Sequence, residues 1–251
     1  MSAPVQVCYG GGTDSTAMLI EMVRRGERID LVTFADTGAE LPHTYKTVEL
    51  MDVWLRSQGY PGVTTVRYTR KRDGKVVTLE ETIRKNNTLP ALAFGWHTCS
   101  IRYKIDPQVA YAKQFPAFKE AWARGEKVIR CIGYDASPAD TKRACRSTTK
   151  FPDLAQYDNR YPLREWGWDR ERCLAEILKE GLPDPGKSSC YFCPARKKPE
   201  LDHMAEHYPE FMEKALEIEK IAMTSGKITS PKMKGMGRSY NWGEHIKERT
   251  A

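Results

Sequence analysis

No apolar run in the chain approaches the roughly 20 residues that a membrane-spanning helix needs, so no membrane partner is expected. The opening residues MSAPVQVCYG lack the basic start and long apolar middle of a secretory signal, and the reading is of a cytoplasmic protein. No two cysteines are adjacent, and the seven present form an odd set. In a reducing compartment such a set is not a disulfide framework, so metal binding, reactivity or burial must account for it. No internal repeat of fixed period is apparent. The glycine-rich stretch YGGGTDS lacks the lysine of a Walker loop, and its glycine spacing differs from the dinucleotide fingerprint.

What is present suits a soluble α/β protein. Hydrophobic residues make up 40% and charged residues 29%, the balance of a globular chain. At 251 residues the chain can bury a full core with a small appendage. The net charge of +7 favours anionic partners, either nucleotides or nucleic acid.

Residues 5–8 read as a strand and 14–25 as a helix stopped by Gly26. IDLVTFADTG reads as a second strand, ELPHTYKTVELMDVWLRSQG as a helix, GVTTVRYTR as a third strand and EKVIRCIGYDA as a fourth. Alternation of this kind is the signature of a parallel sheet with crossover helices. The turn-rich stretch SPADTKRACRSTTKFPDLAQYDNRYPLREWGW reads as a long loop over the strand ends. Composition then divides the chain into a nucleotide-binding domain at 1–150, a helical region with a Cys pair at 151–224, and a basic tail at 225–251 that orders only on binding.

A loop between a strand end and a helix start presents unpaired backbone N–H groups, and the helix dipole favours an anion there. Gly10, Gly11 and Gly12 let the main chain approach an oxyanion, while Thr13 and Ser15 add hydroxyls. Asp14 beside phosphate makes sense as a helix cap or as a ligand for Mg2+. YGGGTDS resembles the S-G-G-x-D-S loop of the PP-loop ATP pyrophosphatase superfamily, with Tyr9 where the family usually has serine. FADTGAELPHTY is similar to the second-strand motif of its phosphoadenylyl-sulfate (PAPS) reductase-like branch. GWHTCSIRYKIDP and YPLREWGWDRERC through GLPDPGKSSCYFCP resemble later elements of the same branch, so the likeness covers most of residues 5–200.

The resemblance implies a Rossmann-like (HUP-type) open parallel sheet with helices on both faces and a helical, cysteine-containing C-terminal extension. It implies ATP with Mg2+, or another adenylyl nucleotide, bound by Tyr9, Gly10, Gly11, Gly12, Thr13, Asp14, Ser15, Asp36, Thr37 and Gly38. Asp14, Ser15 and Lys104 are the implied catalytic set. Attack at the α-phosphate would release pyrophosphate and leave an adenylated intermediate, the loop stabilising the developing charge.

Cys190 and Cys193 form a C-x-x-C turn, a spacing that lets two thiolates converge on one metal. Cys99 is the best upstream partner, and the resemblance implies a 4Fe-4S cluster with one open iron, as in iron-sulfur tRNA thiolases of the superfamily. Alternatively a fourth ligand, Cys145 or His97, completes a cluster or a Zn2+ site, and a metal-free pair stays open. Cys8, Cys131 and Cys173 read as buried apolar residues.

Three basic groups, Arg102 with Lys104, Lys142 with Arg143 and Arg146, and Arg196 to Lys198, could line a positive funnel or be solvated faces. GYDASPADTKRA resembles the family's sulfonucleotide segment, but Tyr134 and Asp135 replace its basic character. Trp96, Trp166 and Trp168 are candidates for base stacking, Trp96 first, with core packing as the alternative.

The expected function is an ATP-using nucleotidyl or sulfur transferase that adenylates, and in one version thiolates, a nucleobase or other carbonyl-bearing substrate. PAPS or adenylyl-sulfate reductase is the alternative, disfavoured because no cysteine follows Cys193. A non-catalytic nucleotide or nucleic-acid-binding module is the third reading. Partners in play are a nucleotide, then tRNA, DNA or a free nucleobase, a sulfur donor if sulfur moves, and a second copy in a homodimer.

Overall fold

The structure is a computed structural model describing residues 2–150 and 155–250, excepting the side chains of 146–150 and 250. Five strands form one parallel sheet: β1 (Val5–Tyr9), β2 (Leu31–Asp36), β3 (Val63–Arg67), β4 (Val128–Ile132) and β5 (Tyr157–Arg160), in the order β3-β2-β1-β4-β5. The expected open parallel sheet is therefore present. β1 pairs with β2 from Gln6↔Leu31 to Tyr9↔Phe34, and with β4 from Val5↔Ile129 to Cys8↔Ile132. Every residue of β2 is buried, as befits a central strand covered on both faces.

Chain order proceeds outward from β1 to β3 and then returns to the other side of β1 for β4. That reversal makes the C-terminal ends of β1 and β4 a topological switch point, where open α/β sheets bind ligands.

Helix α1 (Thr13–Arg24) starts directly from the glycine loop and buries Ala17, Met18, Leu19, Ile20 and Met22. The preorganised φ of Pro42 starts α2 (Pro42–Ser57). A capping box starts α3 (Leu79–Asn86): Glu81 N–H donates to Thr78 Oγ1 at 3.1 Å, and Thr78 N–H to Glu81 Oε2 at 2.7 Å. After a 3-10 turn at Ala91–Phe94, α4 (Thr98–Ser100), a π-helical turn (Ile101–Ile105) and α5 (Asp106–Ala112) follow one another without a break. α6 (Pro116–Ala123) precedes β4. Beyond it come α7 (Pro138–Lys150), α8 (Pro162–Glu165), α9 (Arg170–Lys179), α10 (Lys198–His207), α11 (Pro209–Thr224) and α12 (Trp242–Thr250).

The chain folds into two compact units, each assembled from three segments: 1–35, 42–66 and 108–188 form the first, and 36–41, 67–107 and 189–251 the second. Consecutive blocks at 1–150, 151–224 and 225–251 are not what contacts define. The long loop read over 137–168 is also corrected, because it holds α7, β5 and α8. β5 is only four residues long, with Tyr157 its one buried position, so its sequence carries no hydrophobic alternation.

The basic tail is corrected too. Trp242 and Met236 are fully buried in the apolar core of the second unit. Buried Glu219 on α11 gathers that segment, accepting N–H from Met236 (2.6 Å), Trp242 (3.0 Å) and Gly243 (3.0 Å). One carboxylate and one indole thus order a stretch that composition marks as unstructured.

Candidate functional site

In the first unit the glycine loop fills the turn between β1 and α1. Gly11 takes φ +71, and a Cβ there would stand 2.9 Å from Thr44 Cγ2, so conformation and space both demand glycine. Ser15 Oγ braces the loop, accepting from Gly10 N–H at 3.1 Å and donating to Gly12 O at 3.2 Å. Thr13 ties it to the 184–188 turn: its N–H and Oγ1 both reach Gly186 O, at 3.4 and 3.2 Å. Thr16 N–H closes on Gly12 O at 3.0 Å, whereas the amides of Asp14 and Ser15 find no partner among the described residues. Two N–H groups at the positive end of a twelve-residue helix are a site for anionic oxygen.

Tyr9 departs from its expected role. Its ring is buried in the core and its hydroxyl pairs with Thr16 Oγ1 at 3.1 Å, so the side chain is not offered to a ligand.

Across the switch point, β4 is followed by Gly133, which lets the chain lie against the start of α1. A Cβ on Gly133 would fall 2.8 Å from Ser15 Cα and 3.0 Å from Ser15 N. This close approach brings Asp135 and Asp140 to Asp14: one oxygen of each lies within 4.8 Å of the others, the spacing of ligands around a single cation. The two newcomers are buried and held in place. Asp135 Oδ1 accepts Ser137 N–H at 2.9 Å, Asp140 Oδ2 accepts Asp135 N–H at 3.3 Å, and Asp140 Oδ1 pairs with Arg143 at 2.8 Å.

Asp14 Oδ1 is buried without a hydrogen bond, and the nearest cation to it is Arg170 Nη1 at 3.6 Å. Burial first, then the neighbouring Asp135 and Asp140 charges, push the Asp14 carboxyl up to about 6, while Arg170 and Arg143 oppose the shift. Asp135, Asp140 and Arg170 were not singled out from sequence as ligand residues. The available signal was an acid two residues beyond the glycine that follows a strand; for Arg170 there was none.

In the second unit Asp36 is spent on structure, accepting Gly38 N–H at 2.7 Å and Arg67 Nε–H at 2.8 Å. Thr37 turns toward the cysteines, with its Oγ1 3.2 Å from Cys190 Sγ and 3.3 Å from Glu40 Oε1. Glu40, 2% exposed, meets Lys104 Nζ at 3.2 Å. The Glu40 charge raises the Lys104 ammonium above its ordinary value, and the Cys190 and Cys193 sulfurs add to the effect. The π-helical turn that carries Lys104 is a local departure of the kind often found at functional sites.

Cys99, Cys190 and Cys193 pack on one apolar cluster. Burial dominates both thiols of the C-x-x-C pair and pushes them up, with Cys99 a further neighbour of Cys193. Buried Arg196 fixes the turn by donating to Ser189 O at 3.1 Å and Cys190 O at 3.4 Å, so it is a clamp rather than part of a solvated funnel. Among the described residues the three sulfurs are not a group within 4.8 Å of one another. One zinc ion would hold thiolates about 3.8 Å apart, whereas a cubic cluster spaces them wider.

His97 is exposed, and Cys145, also exposed, belongs to the first unit. Arg146 lies outside the described side chains. Cys131 and Cys173 are buried and Cys8 is partly so, and burial raises their thiols to about 12, 12 and 11. Trp166 and Trp168 pack edge-on against each other at the rim of the core, while Trp96 is 68% exposed.

No protein-family profile matches the chain. An uncharacterized protein of Methanocaldococcus jannaschii is 27% identical over 222 residues, a span covering 84% of this chain and 40% of that protein. The chain therefore corresponds to less than half of that relative. Among solved structures, PAPS reductase from Candida auris, in a phosphate complex, is 17% identical with a TM-score of 0.44, covering 74% of this chain and 76% of that one. The U34-tRNA thiolase NcsA from Methanococcus maripaludis, with its 4Fe-4S cluster, is 13% identical with a TM-score of 0.46, covering 98% of this chain and 81% of that one. No helix among the described residues is long and apolar enough to cross a membrane.

Proposed function

We propose that the chain is a PP-loop enzyme that binds ATP with Mg2+ at the β1/β4 switch point and cleaves it at the α-phosphate. The product is an adenylated nucleobase or other carbonyl-bearing acceptor, ready for displacement by a sulfur nucleophile. One observation carries the reading: Asp14, Asp135 and Asp140 converge beside the unpaired first-turn amides of α1. A carboxylate set next to an anion cradle has a chemical rationale when a divalent cation joins the two.

The chain's own groups divide the work. The Asp14 and Ser15 amides would hold the departing pyrophosphate, and the Ser15 hydroxyl would keep the loop in shape. Asp14, Asp135 and Asp140 would hold Mg2+, which would supply positive charge against the phosphates. Arg170, 53% exposed and only loosely paired with Asp14, can turn its guanidinium onto a phosphate. Thr37 and Gly38 remain candidates for the nucleoside, and Asp36 would act through the turn it braces.

Cys99, Cys190 and Cys193 would hold a 4Fe-4S cluster, which supplies an iron able to carry sulfide. Lys104 would offset part of the negative charge that three thiolates bring together. The positive net charge and exposed Trp96 favour an acceptor base within RNA.

Pyrophosphate release from ATP and Mg2+, with and without candidate RNAs, tests the reading. RNA-stimulated release that disappears in Asp14→Asn is expected. Absence of both release and Mg2+-dependent ATP binding would sink the enzyme assignment.

A further inference from the structure

A buried carboxylate beside a pair of cysteines is an unusual thing for a core to contain. Glu40 lies next to Cys190 through an isolated antiparallel bridge, and its Oε1 is 3.8 Å from Cys190 Sγ. Three groups crowd that one oxygen: Thr37 Oγ1, Lys104 Nζ and the Cys190 thiol. The other oxygen, Oε2, is buried with no hydrogen-bond partner. Lys104 Nζ meets Oε1 at 3.2 Å, while Oε2 is left both dehydrated and unpaired. Leaving such an orphan in a core is costly. Pairing with Lys104 alone explains Oε1 and leaves Oε2 without a purpose.

The sulfurs complete the argument. Cys190, Cys193 and Cys99 offer three soft ligands, which leaves one position of a four-iron cluster without a thiolate. Resting on the cluster reading given above, we propose that Glu40 Oε2 is the fourth protein ligand of the metal cluster held by Cys99, Cys190 and Cys193. Lys104 then acts as a positioning residue that holds Oε1 and leaves Oε2 for iron. A carboxylate is a harder, more readily displaced ligand than a thiolate. Glu40 would cover the reactive iron at rest and yield it to an incoming sulfur species.

The test uses the full chain purified without oxygen. Iron and sulfide analysis of the wild type comes first, and an iron-free wild type would overturn the cluster reading and this assignment with it. Cyanide titration of the unique iron, followed by the cluster's absorption and paramagnetic signal, then compares wild type with Glu40→Gln. The variant should keep its cluster through the three cysteines and bind cyanide ~10-fold or more tightly, the scale on which neighbouring groups tune metal sites. An iron-loaded variant with wild-type cyanide affinity would overturn the assignment alone. Should Glu40→Gln fail to fold, wild-type protein carrying isotope-labelled glutamate carboxyl groups gives a direct reading. Hyperfine coupling from one carboxyl to the reduced cluster is expected, and its absence would overturn the assignment.

Discussion

Arg170 contacts two residues at the start of α1, with Nη1 3.6 Å from Asp14 Oδ1 and Nη2 donating to Thr13 Oγ1 at 3.2 Å. The contact to Asp14 is long for an ion pair and the arginine is half exposed, so it relieves the buried carboxylate only in part. Asp14 consequently holds its proton up to about 6 in the folded protein, against 3.8 for an ordinary aspartate.

The sign of the resulting pH dependence follows. Between those two values the folded state binds more protons than the unfolded chain, so stability of the metal-free protein falls as pH rises through that window and then levels off. Asp14→Asn removes the ionisable group and the fall with it. Urea unfolding in the presence of a chelator should show the variant more stable than wild type at neutral pH and closer to it at acid pH, while Mg2+-dependent ATP binding is lost. A variant less stable at neutral pH would show that Asp14 is a structural rather than a ligand carboxylate.

Arg170→Ala tests the guanidinium from the other side. Removing one positioned donor from a developing anion typically costs about 10²-fold in turnover, and a loss of that order in pyrophosphate release is expected. Without the competing cation beside Asp14, Mn2+ should bind the nucleotide-free protein more tightly than it binds wild type. Opposite movements of the two readouts separate a phosphate contact from simple damage to the fold.

Much of this was legible in the sequence, and the limits are physical. The strands β1, β2 and β4 show apolar runs because they are buried on both faces, and the glycine loop is recognisable because only certain residues fit a phosphate turn. β5 and α7 were missed because β5 buries only Tyr157, and α7, among its described side chains, buries only Asp140 and Ala144. Asp135, Asp140 and Glu40 carry no local pattern. Their meaning comes from distant segments brought together, by a β1/β4 crossover in one case and by a bridge between residues 40 and 190 in the other.

Gly133→Ala probes that crossover. The added methyl would meet the Ser15 backbone, which cannot move aside as a side-chain tip can. Overpacking of this kind costs about 1–3 kcal/mol, and displacement of the α1 start should weaken ATP binding beyond the loss of stability. Calorimetric titration at a temperature where the variant is fully folded distinguishes the two effects.

The cysteines make separable predictions about metal content. Cys99→Ser or Cys193→Ser should lose most of the iron bound on anaerobic purification, because each removes a ligand that the remaining pair cannot replace. Cys145→Ser should retain it, since Cys145 is an exposed thiol on α7 outside the apolar cluster that holds the other three. Elemental analysis of the three variants decides this, and iron loss in Cys145→Ser alone would redraw the site.

Glu219 and Trp242 place the last prediction in the segment that composition marks as a tail. A carboxylate accepting three backbone N–H bonds fixes 236–243 at one point, and the indole fills the cavity beneath it. Trp242→Ala should cost about 3–5 kcal/mol through the void it leaves. Glu219→Gln keeps the volume but is neutral and offers a single acceptor oxygen, so all three amides lose a charged partner, at about 1.5–3 kcal/mol for such bonds, and Gly243 N–H loses its acceptor when that oxygen keeps Met236 and Trp242. Hydrogen exchange should rise across 236–250 in both variants and most sharply at Met236, Trp242 and Gly243 in Glu219→Gln. Unchanged exchange at those three amides would mean that the indole, and not the carboxylate, anchors the segment.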